Sequence, residues 1–143
     1  MITPFGWLTW ALLSAVFAAL TAIFAKVGVA NVNSDLATFI RTVVIMVALG
    51  LVLFARGLFQ QIDTISVRTY AFLVLSGLAT GASWFCYFRA LQIGDAALVA
   101  PIDKLSVVLV AVFAVTFLGE RLSLMNWIGI ALIACGAVLV AWR

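Results

Sequence analysis

A carboxylate and an ammonium group, Asp103 and Lys104, are adjacent inside an apolar run that extends from Asp95 to Leu118. An ionisable residue within a membrane-spanning segment costs on the order of 2.5 kcal/mol or more, so such residues usually mark a functional site. Asp103 lies eight residues past Asp95, which is about 12 Å along a helix axis. A helix that begins near Asp95 therefore carries this pair well into a hydrocarbon core about 30 Å thick.

Pro101 leaves two interpretations of this run open. Proline fits the first turn of a helix but breaks or kinks its interior. If the helix begins at Pro101, Asp103 stabilises the helix dipole from the first turn and Lys104 extends to the lipid headgroups. If the helix begins near Ala96 and kinks at Pro101, Asp103 reaches an internal cavity. We favour the second interpretation because charges within a membrane usually line pathways.

Three further cations lie near the ends of other apolar runs. Lys26 is close to the end of the first run and can extend its ammonium to the headgroups. Arg41 lies six residues past Asp35, about 9 Å from the predicted helix start, which is deep for an arginine. Arg89 is close to the end of the third run, where its side chain can also reach the membrane surface.

Aromatic residues of the third run share this end of the membrane. Trp84 and Phe88 are four residues apart and share one helix face, which Phe85 and Tyr87 flank. The group can form a lipid-facing or interfacial belt. Alternatively, Trp84 and Tyr87 form the wall of a ligand cavity, because such cavities are mostly apolar with a few polar groups.

The charges that approach the membrane from this side are mostly positive. They comprise one carboxylate and four cations: Asp103, Lys26, Arg41, Arg89 and Lys104. Their excess positive potential favours an anionic or carboxylate-bearing ligand, or a lipid phosphate. Asp103 could pair with Lys26 or Arg41, or it could carry a proton.

The composition excludes a soluble protein. Of the 143 residues, 67% are hydrophobic and only 9% are charged, too few to cover the surface of a soluble domain. We therefore expect a multi-pass integral membrane protein with a single domain over residues 1–143. The net charge of +3 is too small and too dispersed for nucleic-acid binding.

Metal, cofactor and enzyme chemistry are not expected. The chain contains no histidine, and the spacing of Cys86 and Cys135 matches no metal-binding pattern. No soluble domain is predicted that could exclude water around a reaction.

Five apolar runs predict an all-α transmembrane fold. We expect Ser34 or Asp35 to be the N-cap of the second helix. The predicted helices span approximately residues 5–29, 36–54, 70–91, 96–118 and 124–142.

Glycine pairs in two of these helices predict close packing. Gly77 and Gly81 are four residues apart, and Gly129 and Gly136 are seven apart on one face. Small residues let helix backbones approach each other. The second pair can serve contacts within one protomer or between two protomers.

Glu120 lies at the C-terminal end of the fourth run, where its charge opposes the helix dipole. It therefore needs a cationic partner. The candidates for this structural ion pair are Arg121, Arg56 and Arg68.

The basic residues give the chain little orientational preference. An odd number of spans places three basic residues on one side and five on the other, and several of the five lie inside helices. Because basic residues near the membrane orient a protein, two copies could insert in opposite directions. Such inverted pairs place a substrate site at the midplane.

Two stretches resemble the EamA-type domain of the drug/metabolite transporter superfamily. Residues 87–141 are similar to the C-terminal part of that domain and residues 17–42 to its opening. The positions that match the family pattern are Ala100-Pro101, Gly119-Glu120, and Gly129 with Gly136. The resemblance implies a five-helix bundle equivalent to one half of a ten-helix inverted-repeat transporter, and a carrier of small metabolites.

Most members of that family carry two such domains and this chain carries one. The resemblance therefore implies a homodimer, which can be antiparallel, or a heterodimer with a paralogue. Small multidrug-resistance carriers also work as antiparallel pairs, with a glutamate in the first helix. Here Lys26 occupies the first helix instead, which argues against antiport of a drug cation.

The main hypothesis is a secondary transporter of a small polar or charged metabolite in a bacterial or archaeal inner membrane, coupled to an ion gradient. Asp103 and Lys104 would form the gating or coupling pair, and Lys26 and Arg41 would bind substrate or supply counter-charge. One alternative is a component of a paralogue pair that flips a lipid-linked phosphate sugar. Another is a membrane subunit that does not transport and only stabilises a partner.

Overall fold

The structure is a computed structural model that describes residues 4–59 and 65–142. In these ranges the chain is helical and contains no strand, which confirms the predicted all-α fold. The helices, in chain order, are α1 (Pro4–Gly28), α2 (Ser34–Ala55), α3 (Val67–Ile93), α4 (Ala96–Asp103), α5 (Ser106–Phe117) and α6 (Leu124–Ala141).

Five segments of the described residues are long and apolar enough to cross a membrane. Three of them coincide with α2, α3 and α6, and the first comprises Gly6–Gly28 of α1. The fourth, Ala96–Phe117, combines α4 and α5. The number of predicted spans is therefore confirmed.

The N-cap of α2 differs from the prediction. Asn33, rather than Ser34 or Asp35, caps the helix: its Oδ1 accepts hydrogen bonds from the backbone N–H groups of Asp35 at 2.8 Å and Leu36 at 3.4 Å. Asparagine is among the strongest N-cap residues. Ser34 lies inside the first turn and is 2% exposed.

Two other helices begin at serine caps. The Ser66 Oγ accepts a hydrogen bond from the Thr69 N–H at 3.1 Å, so α3 begins three residues before the predicted position. The Ser123 Oγ accepts a hydrogen bond from the Asn126 N–H at 3.2 Å and caps α6. Both contacts satisfy backbone donors that a helix leaves without a partner in its first turn.

The fourth span is broken close to Pro101. It begins at Ala96, so the interpretation in which the helix starts at Pro101 is wrong. The break follows Asp103, two residues beyond the proline, because the N–H groups of Lys104 and Leu105 donate to carbonyl groups three residues back. These are the tighter bonds of a 3₁₀ turn. The helix resumes at Ser106.

The chain divides into two compact units. One comprises residues 1–24 and 93–143, and the other comprises residues 25–92. In the first, α4 and α5 pack against α6, and the buried side chains are small: Ala22, Ala111, Ala114 and Ala137. In the second, larger side chains are buried: Val29, Phe88 and Leu91. Elsewhere most large apolar side chains are exposed, as expected for helices that face lipid.

The glycine pairs of α3 and α6 have open space where a side chain would begin. Among the described residues, a Cβ atom added at Gly77, Gly81, Gly129 or Gly136 would meet nothing within 4 Å. Whether the α6 pair serves contacts within one protomer or between two stays a prediction.

Candidate ligand site

Two hydrogen bonds join the ends of three helices within residues 25–92. Lys26, in the last turn of α1, donates through Nζ to the Leu91 carbonyl oxygen at 2.8 Å. Gln92 donates through Nε2 to the Val32 carbonyl oxygen, in the turn before α2, at 3.1 Å. Three helix ends therefore lie at the same height along the helix axes: the end of α1, the start of α2 and the end of α3.

Arg41 stacks on two aromatic rings of α3. Its guanidinium carbon, Cζ, lies 4.2 Å from the centroid of the Trp84 ring and 5.3 Å from that of Phe88. Trp84 and Phe88 are one helical turn apart, so both can contact the same neighbour. These are cation–π contacts, which strengthen when the cation is shielded from water.

The stacked guanidinium lies inside the membrane-spanning region. Trp84 and Phe88 precede Ile93, the last residue of α3, by nine and five residues, or about 13 and 7 Å along the helix axis. The guanidinium thus lies roughly 10 Å below the level at which the helices end. Arg41 packs sideways against α3 instead of extending to the headgroups.

The edge of the guanidinium is open to further partners. It carries five N–H donors around its edge. Within the part of the chain that the structure describes, no carboxylate forms an ion pair with Arg41 and no acceptor takes a hydrogen bond from it. The two rings therefore contact the group, and its donors can bind a ligand.

Positive charge predominates at this end of residues 25–92. The Arg89 Nη1 donates to the Gln92 Oε1 at 2.9 Å, which links Arg89 to the same helix ends as Lys26. Together with Arg41 these are three cations within residues 25–92, and Asp35, in the first turn of α2, is an exposed carboxylate. This arrangement can bind and orient an anion.

Four of the predicted site residues fall together in this unit: Lys26, Arg41, Trp84 and Tyr87. The sequence analysis did not select Phe88, Leu91 or Gln92 as site residues. The spacing of Trp84, Phe88 and Leu91, at intervals of four and three residues, predicts one helix face and could have identified them. The roles of all these residues stay predictions.

The Asp103–Lys104 pair lies in the other unit. The Lys104 Nζ is 3.1 Å from the Asp103 Oδ2, and the two side chains are 56% and 37% exposed, respectively. Adjacent side chains on a continuous helix diverge by about 100° and do not face each other. The ion pair forms where α4 ends, so the break in the helix brings the two charges together.

The residues after α5 form a helix end in which, in the described part of residues 93–143, Glu120 does not pair with its neighbour Arg121. Gly119 has a φ of +69°, and the backbone N–H of Glu120 donates to the Ala114 carbonyl oxygen at 3.1 Å. The cationic partner of Glu120 stays a prediction.

Among residues 4–59 and 65–142, no group of three or more His, Cys, Asp or Glu side chains could hold a metal ion.

These features define the class of protein. Of the five apolar spans, several carry ionisable side chains within the span, as in membrane proteins that move polar solutes. The chain is an integral membrane protein in contact with the lipid bilayer.

Comparisons with known proteins identify the family. The model of the EamA-like transporter family matches residues 5–142, so the chain belongs to that family of membrane transporters. A protein of Sinorhizobium sp, described as "Uncharacterized transporter in cobO 3'region", is 64% identical over 136 residues, which make up 95% of this chain and 96% of that protein. No solved structure matches the chain.

Proposed function

We propose that the protein is a secondary transporter of a small polar or charged metabolite, acting in the inner membrane of a bacterial or archaeal cell. It works by alternating access as a dimer, and an ion gradient drives the transport. Residues 1–143 form one transport domain. The observation that carries the proposal is Arg41, whose charge is held inside the spanning region on Trp84 and Phe88 with its donors open. Family membership supports transport as the use of this site.

The residues around Arg41 have complementary roles in this proposal. Lys26 and Arg41 attract and orient the substrate, and Trp84 and Tyr87 form an aromatic wall beside it. A mostly apolar wall with a few polar groups is the usual composition of a small-molecule site. Because the site is close to one membrane surface, the substrate enters from that side.

Asp103 and Lys104 are proposed to couple transport to the ion gradient. Their ion pair is formed at the break between α4 and α5. A proton or another cation that binds Asp103 weakens its attraction for Lys104 and changes the conformation of the break. Discontinuous helices with ionisable groups near the break are a recurrent device of alternating-access transporters.

A second copy is proposed to complete the pathway. The Sinorhizobium relative has the length of one such domain, because the match covers 96% of it. Transporters of this kind place the substrate between two inverted repeats. The open glycine surfaces of α3 and α6 are suited to close contact with another helix. The partner is a second copy of this chain or a paralogue.

The proposal is tested by uptake into proteoliposomes. Vesicles with an imposed ion gradient are incubated with a mixture of small polar metabolites, and the retained compounds are measured by mass spectrometry. We expect the wild-type protein to enrich at least one compound and Asp103→Asn to lose the gradient-driven enrichment while it stays folded. Glu120→Gln, a matched change outside the spans, should keep it. Unchanged enrichment with Asp103→Asn would remove Asp103 from the mechanism.

A second candidate function is the movement of a lipid-linked phosphate sugar by a paralogue pair. The observation that favours it is the cationic end of residues 25–92, where Lys26 and Arg89 join the helix ends. This function requires an anionic lipid to copurify with the protein. Mass spectrometry of the purified protein that detects no such lipid would count against it.

A further inference from the structure

We propose that Arg41 is the receptor for an oxyanion, either a carboxylate or a phosphate group of the ligand. The inference rests on the proposed function and deepens it by naming the class of ligand. In this proposal the N–H donors of the guanidinium bind the anion while the cation–π contacts with Trp84 and Phe88 hold the group against α3.

The geometry of the guanidinium lets it contact aromatic rings and bind an anion at the same time. The group is planar, its N–H donors point outward in the plane, and its faces stack on aromatic rings. The Arg41 Cζ lies 4.2 Å from the centroid of the Trp84 ring and 5.3 Å from that of Phe88, so the two rings lie against the guanidinium. The outward donors match the two oxygens of a carboxylate or phosphate in a bidentate arrangement. A lysine ammonium in the same position has no such plane.

The stacking also prepares Arg41 for binding. An arginine side chain loses considerable rotamer freedom when a ligand immobilises it. The Arg41 side chain is half-buried and already packed against α3, so part of that loss occurs on folding. An anion therefore meets donors that are already in place.

The surrounding charges select an anion over a cation. Lys26 and Arg89 are cations at the same end of residues 25–92, and the Asp35 carboxylate in the first turn of α2 is exposed and accepts a hydrogen bond from the Ser34 Oγ. Charges attract and repel more strongly where water is excluded. A cationic ligand would be repelled at Arg41, and a neutral ligand would leave its charge unbalanced.

Ligand binding is tested with the full chain in nanodiscs, in buffer without other oxyanions. The soluble probes are inorganic phosphate, succinate and the uncharged analogue succinamide, in nanodiscs of phosphatidylcholine. The lipid probe replaces part of the phosphatidylcholine by phosphatidylglycerol. The readout is the thermal unfolding midpoint, which rises with the concentration of any ligand that binds the folded state.

Three variants identify the receptor. Arg41→Gln removes the charge, and Arg41→Lys keeps the charge but not the planar donors. Arg56→Gln, at the opposite end of the same helix, is the matched control. We expect phosphate or succinate to raise the midpoint of the wild type and of Arg56→Gln. We expect apparent affinity to fall by about tenfold or more in Arg41→Gln and by less in Arg41→Lys.

The outcomes separate the sources of the anion. A rise with phosphate or succinate that depends on Arg41 supports a soluble anionic substrate. A rise with phosphatidylglycerol that depends on Arg41 supports a lipid phosphate. The proposal is overturned if succinamide stabilises the protein as well as succinate does, or if no anion distinguishes the wild type from Arg41→Gln.

Failure of this inference is distinct from failure of the proposed function. A transporter of a neutral or cationic substrate would still enrich that compound in vesicles while showing no Arg41-dependent binding of anions. Conversely, Arg41 can bind an anion in a protein that enriches nothing. The binding and uptake measurements therefore test the two claims separately.

Discussion

Arg41 shows how a charge is kept inside a membrane span. A charged side chain at the centre of a spanning helix costs about 2.5–3.5 kcal/mol on insertion scales. Arg41 lies about 10 Å below the helix ends, away from the centre, so its cost is smaller. Cation–π contacts such as those with Trp84 and Phe88 return about 0.5–2 kcal/mol, depending on how well they exclude water. These contacts therefore offset a large part of the cost of the charge.

A double-mutant cycle measures the stacking energy. We expect Arg41→Gln and Trp84→Leu to be coupled by about 0.5–2 kcal/mol in the free energy of unfolding in mixed micelles. The control cycle combines Arg41→Gln with Phe85→Leu, because Phe85 is 52% exposed and has no cation–π contact with Arg41. Its coupling should be close to zero. If the Trp84 and Arg41 effects simply add, the stacking does not stabilise Arg41.

At the scale of single residues, the sequence predicts the candidates but not their contacts. The depth of Arg41 and the shared face of Trp84 and Phe88 follow from helical spacing. Which cation meets which ring depends on how α2 and α3 are rotated about their axes. Packing between helices sets that rotation, and the spacing of residues along one helix does not predict it.

Among the elements, the broken fourth span carries the Asp103–Lys104 pair, for which we propose a role in coupling. Pro101 lacks the N–H that would donate to the Ala97 carbonyl, and the N–H groups of the two residues after Asp103 reach back only three residues. The helix ends at Asp103 and resumes at Ser106. This places the pair at the junction of two helices.

Pro101→Ala tests whether the break is needed. Alanine restores a backbone donor and favours a continuous helix, so we expect the free energy of unfolding to rise by about 1 kcal/mol. We also expect slower uptake of the enriched metabolite, because a continuous helix separates Asp103 from Lys104. Val110→Ala, at a position that is 64% exposed in the same span, is the control and should leave uptake unchanged. Uptake at the wild-type rate in Pro101→Ala would show that the break has no role in transport.

The ends of the elements illustrate where sequence rules lose precision. The apolar runs predict five spans because each one must be long enough to cross the hydrocarbon core. The sequence places the N-cap of α2 one or two residues too late, because Asn33, Ser34 and Asp35 are all strong capping residues. In the structure the cap is Asn33, whose Oδ1 accepts hydrogen bonds from two N–H groups. The break after Asp103 likewise depends on local hydrogen bonds.

For the whole molecule, the uncovered surface is the informative property. The family model covers residues 5–142, and a transporter-named relative is matched over 96% of its length. Most large apolar side chains and the four glycines of α3 and α6 are uncovered in the described residues. Lipid covers apolar side chains without difficulty, but open glycine surfaces favour another helix. The second copy that we propose would supply such a helix.

The most direct test of the transporter account is metabolite uptake as a function of the number of protein copies per vesicle. Wild-type protein is dissociated into monomers in detergent and reconstituted over a range of dilution, from many copies to less than one copy per vesicle on average. We predict gradient-driven enrichment of a small polar metabolite that falls roughly with the square of protein density at high dilution, as a two-copy transporter requires. A linear fall would contradict the dimer, and no enrichment at any density, with folded protein in the vesicles, would contradict transport itself.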